Sequence, residues 1–221
     1  CSTQITASGQ ITCHASCDGT AVADATGQAP FTYSWSTNPV QNGPSISGLC
    51  AGTYTVTSTD FIGCTSTTTI TLNDPAATQL SVTKSDASCF AQCDGNTNAS
   101  AVGVGPFTYE WSTNPVQSGS SLTGLCTGTY TVLCTDDPGC TSSQSITISE
   151  PAEIQIAVSK TDPTCFGDCD GVAIANASGQ SPFTFLWSDA SGQTGATASG
   201  LCSGVYVVTC TDSSSCVDSA I

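Results

Sequence analysis

The sequence contains no arginine, no methionine, one histidine (His14) and two lysines (Lys84 and Lys160) in 221 residues. With so little positive charge there is no phosphate-binding face, which excludes nucleic acid as a partner and argues against anionic membrane surfaces. Only 9% of residues are charged, yet the net charge is −15, a balance that favours solubility and repulsion between like molecules. No run of about 18 apolar residues exists to span a bilayer, and no signal peptide is evident. No stretch shows a helical period with caps. A nucleophilic triad needs an oriented base, and His14 has no counterpart elsewhere in the chain.

What the chain has in excess is cysteine: fifteen of them. That density implies a disulfide-stapled, exported protein, since reducing compartments do not maintain disulfides. The odd count leaves at least one thiol free or paired outside the chain. A mature product or an internal fragment is expected. The stop at Ile221 within a periodic stretch favours the fragment, and Cys1 is compatible with either a true N-terminus or an acylated one.

The chain is written three times. PFTYSWSTNPVQ from Pro30 returns as PFTYEWSTNPVQ from Pro106 and more loosely as PFTFLWSDASGQ from Pro182, each 76 positions on. The pairs Cys13/Cys17, Cys89/Cys93 and Cys165/Cys169, each followed by Asp-Gly, fall into the same register without gaps. So do GLCAGTYTV, GLCTGTYTV and GLCSGVYVV, and then Cys64, Cys140 and Cys216. Fixed-period self-similarity of this kind marks a repeat architecture. Boundaries fall at Asp74-Pro75 and Glu150-Pro151, where proline suits the start of a strand. The expected units are residues 1–74, 75–150 and 151–221, joined by short, stiff connections.

Within a unit the hydrophobic period is two. Phe31, Tyr33 and Trp35 share a face, as do Phe107, Tyr109 and Trp111, and Phe183, Phe185 and Trp187. Opposite them run small residues, Ala21, Ala23 and Ala25 in the first unit, a combination that fills the roughly 10 Å between two sheets. The aromatics are therefore read as core rather than as a ligand platform. The fold class is all-β: three tandem Ig-like sandwiches of six or seven short antiparallel strands, stapled by disulfides.

Sandwich topology places Cys17 and Cys50 at one end of the unit, so Cys17–Cys50, Cys93–Cys126 and Cys169–Cys202 are the expected staples. A disulfide closing a loop of that size is worth about 3–4 kcal/mol, comparable with the whole stability of a small domain. At the opposite end, Cys1–Cys64, Cys134–Cys140 and Cys210–Cys216 are expected, with Cys13–Cys64 and its copies as the rival scheme. Cys13, Cys89 and Cys165 are then left over, free or bonded to another unit. A zinc site is disfavoured by C-x3-C spacing without paired knuckles.

The recurring acids, Asp18, Asp94 and Asp170 and also Asp60, Asp136 and Asp212, sit where turns are expected and are read as turn formers. Calcium at the joints would draw on Asp74, Asp86, Glu150, Glu153 and Asp162, without an established ligand-loop motif. Lys84 and Lys160 hold the same repeat position, open to an isopeptide bond but more simply a surface pair with Asp86 and Asp162. Asn98 and Asn176 fit a glycosylation acceptor pattern. Nothing here assembles into an enzyme, and no cofactor is expected.

The motifs SC-x-x-x-CDG, PFTYxWS, GLCxGTYTV, TD-x-x-GC and ITISEP together resemble the SprB-type repeat of giant cell-surface adhesins in Bacteroidota. The strand GTYTVTSTD is also similar to PKD-type Ig-like domains. The resemblance implies an extracellular, surface-attached fibre exported by type IX secretion and often connected with gliding motility. In such a fibre the repeats form a stalk whose partners are neighbouring repeats, other fibre subunits, and a surface glycan or substratum. A glycan-binding Ig-like module, with Phe61, Phe90 and Phe166 exposed, and a subunit of a disulfide-linked filament are the alternative readings.

Overall fold

The computed structural model describes residues 1–221 and contains strands and turns only. The first repeat runs β1 (Ser2–Gly9), β2 (Gly19–Thr26), β3 (Thr32–Trp35), β4 (Gln41–Asn42), β5 (Ser45–Leu49), β6 (Gly52–Thr59) and β7 (Thr65–Leu72). One sheet has the order β1-β2-β5 and the other β4-β3-β6-β7. The second repeat copies this with β8 (Gln79–Ser85), β9 (Gly95–Val102), β10 (Thr108–Trp111), β11 (Gln117–Ser118), β12 (Ser121–Leu125), β13 (Gly128–Thr135) and β14 (Thr141–Ile148), in sheets β8-β9-β12 and β11-β10-β13-β14. The third has β15 (Gln155–Thr161), β16 (Gly171–Ser178), β17 (Thr184–Trp187), β18 (Thr197–Leu201), β19 (Val208–Thr211) and β20 (Val217–Ala220). In place of the short fourth strand it has a single Leu186–Thr194 bridge. These are three tandem Ig-like sandwiches.

The period-two pattern explains the packing. Along β2 the buried positions are Gly19, Ala21, Ala23 and Ala25, every second residue. Their small side chains leave room for Trp35, which is 1% exposed. The first core holds Ile11, Ala21, Ala23, Trp35, Ile46, Leu49, Val56 and Leu72, with Tyr33 and Tyr54 packed at its edge. The third core repeats it with Ala173, Ala175, Trp187, Ala198, Leu201 and Val208. Trp111 is equally buried, while Phe31, Phe107, Tyr109, Phe183 and Phe185 are half-buried. Each indole N–H donates to a carbonyl eight residues on, Gly43, Gly119 and Gly195, at 2.9–3.0 Å, so a buried polar group is satisfied.

Two motif glycines have clear reasons. In the GLC motif Gly48, Gly124 and Gly200 adopt φ near +70°, as the extra residue of a β-bulge where the register between β2 and β5 slips. The bulge turns Leu49 into the core and puts Cys50 just beyond the strand's end. In the CDG motif a Cβ on Gly19 would lie 2.6 Å from Leu72 Cδ1 and 2.9 Å from the Leu49 carbonyl, and Gly95 and Gly171 are as tightly enclosed.

By compactness the chain divides into two units. One comprises Cys1–Ser81, Ser100–Glu110 and Leu133–Gln144; the other comprises Val82–Ala99, Trp111–Val132 and Ser145–Ile221. The first-to-second joint therefore lies wholly in one unit and the second-to-third joint wholly in the other.

Candidate functional site

The chemistry-bearing residues gather in two kinds of turn. The first is the loop between the first two strands of a repeat, S/T-C-x-x-x-C-D-G. The trailing aspartate closes it: Asp18 accepts from the Thr12 N–H and from the Thr12 and Ser16 hydroxyls. Asp94 does the same with Ser88, and Asp170 with Thr164. The Thr12 hydroxyl, then Ser16 and the Thr12 N–H, lower the Asp18 carboxyl to about 2. Asp94 and Asp170 are lowered by the same kind of bonding. A 3.0–3.1 Å backbone bond from Ser16 to Cys13, Gln92 to Cys89 and Asp168 to Cys165 gives all three loops the same turn.

The second kind is the T-D-x-x-x-C turn between the last two strands. Asp60 Oδ1 accepts from the N–H groups of Ile62 and Cys64, and Oδ2 accepts from Gln28. Burial works against this carboxylate's charge, but the N–H groups of Cys64, Gln28 and Ile62 still hold it below the usual range. Asp136 and Asp212 bond Cys140 and Cys216 in the same way. All these acids are tied into turns.

The loop's second cysteine staples its own repeat: Cys17–Cys50, Cys93–Cys126 and Cys169–Cys202, each 33 residues apart. Its first cysteine reaches forward. Cys13 is bonded to Cys140 and Cys89 to Cys216, both 127 residues apart with Cα atoms 5.6 Å apart. Each of these bonds crosses a joint. Cys64 is bonded to Cys1.

The expected Cys134–Cys140 and Cys210–Cys216 bridges are corrected by this arrangement. In the last hairpin Cys210 stands opposite Asp218, not Cys216. Its side chain points into the core, while Cys216 belongs to the turn. Cys134 and Cys210 are free and fully buried. Burial raises both thiols, Asp136 adding to it at Cys134 and Asp212 with Asp218 at Cys210. The rival Cys13–Cys64 scheme had the right pair of positions in the wrong repeat: Cys13 meets the turn cysteine 76 residues beyond Cys64. Of the three cysteines left over in sequence, Cys13 and Cys89 join another repeat and Cys165 is free and exposed.

The joint acids bond to protein donors. Asp74 accepts from the Ala15 N–H at 2.9 Å and lies 2.9 Å from His14 Nδ1. Glu150 accepts from the Ala91 N–H at 2.8 Å, and Thr78 donates to Asp136 at 2.8 Å. Asp86 bonds Lys84 and the Ser149 N–H, Asp162 bonds Lys160, and Glu153 bonds Gln155. They do not converge on one point as calcium ligands would. Both lysines make non-covalent contacts, at 2.6 and 2.9 Å. Cys1, Asp60 and Cys64 lie close together, but the two sulfurs are bonded to each other.

One recurring contact escaped the sequence reading. Tyr54 donates to the carbonyl of Cys50, Tyr130 to that of Cys126 and Tyr206 to that of Cys202, at 2.9–3.1 Å. This ties each staple to the following strand, as tyrosine corners do in Ig-like sandwiches. The constant four-residue spacing in C-x-G-x-Y was the available signal.

Fold and turns together define a protein of disulfide-stapled Ig-like repeats whose staples run both within repeats and across joints. The family model of the SprB repeat matches residues 157–192, within the third repeat. No curated protein matches the chain. Among solved structures, a three-Ig fragment of titin is similar over 94% of this chain and 91% of its own, at 13% identity and a TM-score of 0.41. A solved chain from a 1.5-MDa bacterial ice-binding adhesin is similar over 91% of this chain and 87% of its own, at 12% identity and a TM-score of 0.42. The tetra-tandem repeat from the extending region of a large adhesion protein is similar over 99% and 72%, at 14% identity and a TM-score of 0.26. No helix is long and apolar enough to cross a membrane.

Proposed function

We propose that this chain is a load-bearing stalk segment of an extracellular, surface-attached fibre, without enzymatic activity, in which each repeat is the unit residues 1–74, 75–150 or 151–221. The observation that carries the reading is the pair of joint-crossing disulfides, Cys13–Cys140 and Cys89–Cys216. A binding module needs its own fold held together; it has no need of covalent bonds between one repeat and the next. A segment under tension does, because its joints are otherwise its weakest points. The SprB match at residues 157–192 supports the same reading, as does cysteine usage that only an oxidising compartment sustains. Export by type IX secretion and a connection with gliding follow from the family resemblance.

The test is mechanical. A single chain held at constant force keeps its length under oxidising conditions and lengthens when a thiol reductant is added. Equal extension before and after reduction would overturn the proposal. Glycan arrays address the other reading: selective binding that disappears on replacing Phe61, Phe90 or Phe166 would favour a recognition module.

A further inference from the structure

The buried thiols Cys134 and Cys210 hold one position of the second and third repeats, where the first has Ser58. Each precedes by two residues the aspartate of the last turn, so thiol and carboxylate share a face of the strand, and both are buried. The Asp136 N–H donates to the Cys140 carbonyl and the Asp212 N–H to the Cys216 carbonyl, both at 3.0 Å. Each turn cysteine therefore stands across from its aspartate, and the free thiol is its diagonal neighbour. Diagonal neighbours on one face lie about 7–8 Å apart, just beyond the roughly 4.4–6.8 Å that a disulfide spans between Cα atoms. A small shift of the turn closes that gap.

A second observation is the packing around Cys210. One apolar cluster gathers Ile154, Cys210 and Cys216, with Cys89 packed against it. A free thiol and both sulfurs of a joint disulfide thus share one buried cluster. The charged groups bearing on the thiols are Asp136 at Cys134, and Asp212 with Asp218 at Cys210. Ile156, Ala177, Phe183 and Phe185, which also pack on the Cys210 cluster, carry no charge. Burial first, and then these acids, keep both thiols protonated at neutral pH, and only a thiolate attacks a disulfide.

We propose that Cys134 and Cys210 are exchange thiols that release the joints by moving each joint disulfide into a single repeat, Cys13–Cys140 to Cys134–Cys140 and Cys89–Cys216 to Cys210–Cys216. The step is a thiol–disulfide exchange. The Cys210 thiolate attacks Cys216 Sγ, forming the Cys210–Cys216 bond and breaking Cys89–Cys216. The electron pair leaves on Cys89 Sγ, which takes up the proton that Cys210 released. One disulfide replaces another, so neither oxidant nor reductant is consumed, and the return step closes the joint again. The staples Cys17–Cys50, Cys93–Cys126 and Cys169–Cys202 take no part, so the sandwiches stay stapled while a joint is open. The exchange rests on the stalk reading, since tension on a joint favours the longer, open arrangement.

The test uses the full oxidised chain with the exposed Cys165 first blocked by N-ethylmaleimide, and no reductant. Held at constant force, the chain is expected to keep its closed length at neutral pH and to lengthen in steps at about pH 10, above the ordinary thiol range. The variant with Cys134→Ala and Cys210→Ala keeps the closed length at both. Peptide mapping of the parent chain after acid quenching at about pH 10 is expected to give Cys210–Cys216 and Cys134–Cys140 linkages with Cys13 and Cys89 as thiols. A parent chain that keeps its joint linkages at that pH, or a variant that lengthens as the parent does, overturns the proposal. The mapping needs no variant, so it decides even where the double variant fails to fold. The stalk reading is tested apart from this, at neutral pH with reductant: a chain that lengthens on reduction but never exchanges its joint bonds keeps that reading and loses this one.

Discussion

The disulfide map fixes how far a single chain can be pulled. With all six bonds closed, the shortest covalent route from Cys1 to Ile221 crosses directly to Cys64, follows the backbone to Cys89, crosses to Cys216 and runs to the end. That is about 30 peptide steps, or about 110 Å including the two sulfur crossings, at roughly 3.4 Å per residue. Replacing Cys89 with alanine diverts the route through Cys13–Cys140 and Cys169–Cys202, about 60 steps and about 210 Å. Replacing Cys13 as well leaves Cys1–Cys64 and the two later 33-residue staples, about 90 steps and about 320 Å. Full reduction frees the whole chain, about 750 Å. Force spectroscopy on chains tethered at their two ends reads these limits directly, as four plateaus in the order oxidised, single variant, double variant, reduced. Replacing Cys13 alone should change nothing, because the shortest route does not use it. If the Cys89 variant stops at the length of the parent chain, the joint-crossing bond does not carry the load and the reasoning fails.

Three further outcomes follow from the same geometry. Maleimide should modify Cys165 at once in the native chain but reach Cys134 and Cys210 only after unfolding, since both are fully buried with thiols raised by that burial; rapid labelling of three thiols would contradict the map. Gly124→Ala should cost about 1–2 kcal/mol through its backbone conformation alone, because no atom lies closer than 3.7 Å to the added Cβ. Gly95→Ala should cost more, since its Cβ would meet Ile148 and the Leu125 carbonyl; equal denaturation midpoints for the two variants would refute the distinction. Asp18 has a lowered carboxyl in the fold, so its contribution is complete above about pH 4 and is lost as pH falls towards about 2. The Thr12 amide shift should report a midpoint near the lower value, and a midpoint near 4 would show that the loop closure is not formed.

Most of the fold was legible because it is written in local terms. Alternation along FTYSW and GTAVADAT sets which side chains enter the core, and a 76-residue period needs no structure to be seen. The staple Cys17–Cys50 followed from sandwich topology, since it closes within one repeat. The partner of Cys140 did not, because Cys134, six residues away, is nearer in sequence than Cys13 by more than a hundred positions. Sequence distance is a poor guide there: a side chain at Cys134 points inward from its strand, whereas a turn at the end of one repeat lies beside the loop of the one before. The role of the GLC glycine was hidden for a related reason. A bulge becomes visible only when the partner strand's register is known, and Gly48 has no side chain to advertise it.

The two cysteines of one short loop do different work because they sit on either side of a single turn. The loop bends between Cys13 and Cys17, with Ala15 at a positive φ of 58° and Ala91 at 56° in the second copy, so that one sulfur faces its own sandwich and the other faces away from it. The inward bond compensates for a small core, eight buried residues in the first repeat, two of them the alanines Ala21 and Ala23. In the chain-entropy account it contributes about 3–4 kcal/mol, on the order of what such a small domain lacks. The outward bond closes a loop of 127 residues that contains a complete joint, and in its second copy Cys216 and Cys89 also pack in the apolar cluster around Cys210. Both bonds restrict the unfolded chain, the longer loop at least as much as the shorter, but only the outward one links one repeat to the next. The presence of both, in the same loop and twice over, is what a segment requires if it must stay folded and also stay joined while it is pulled.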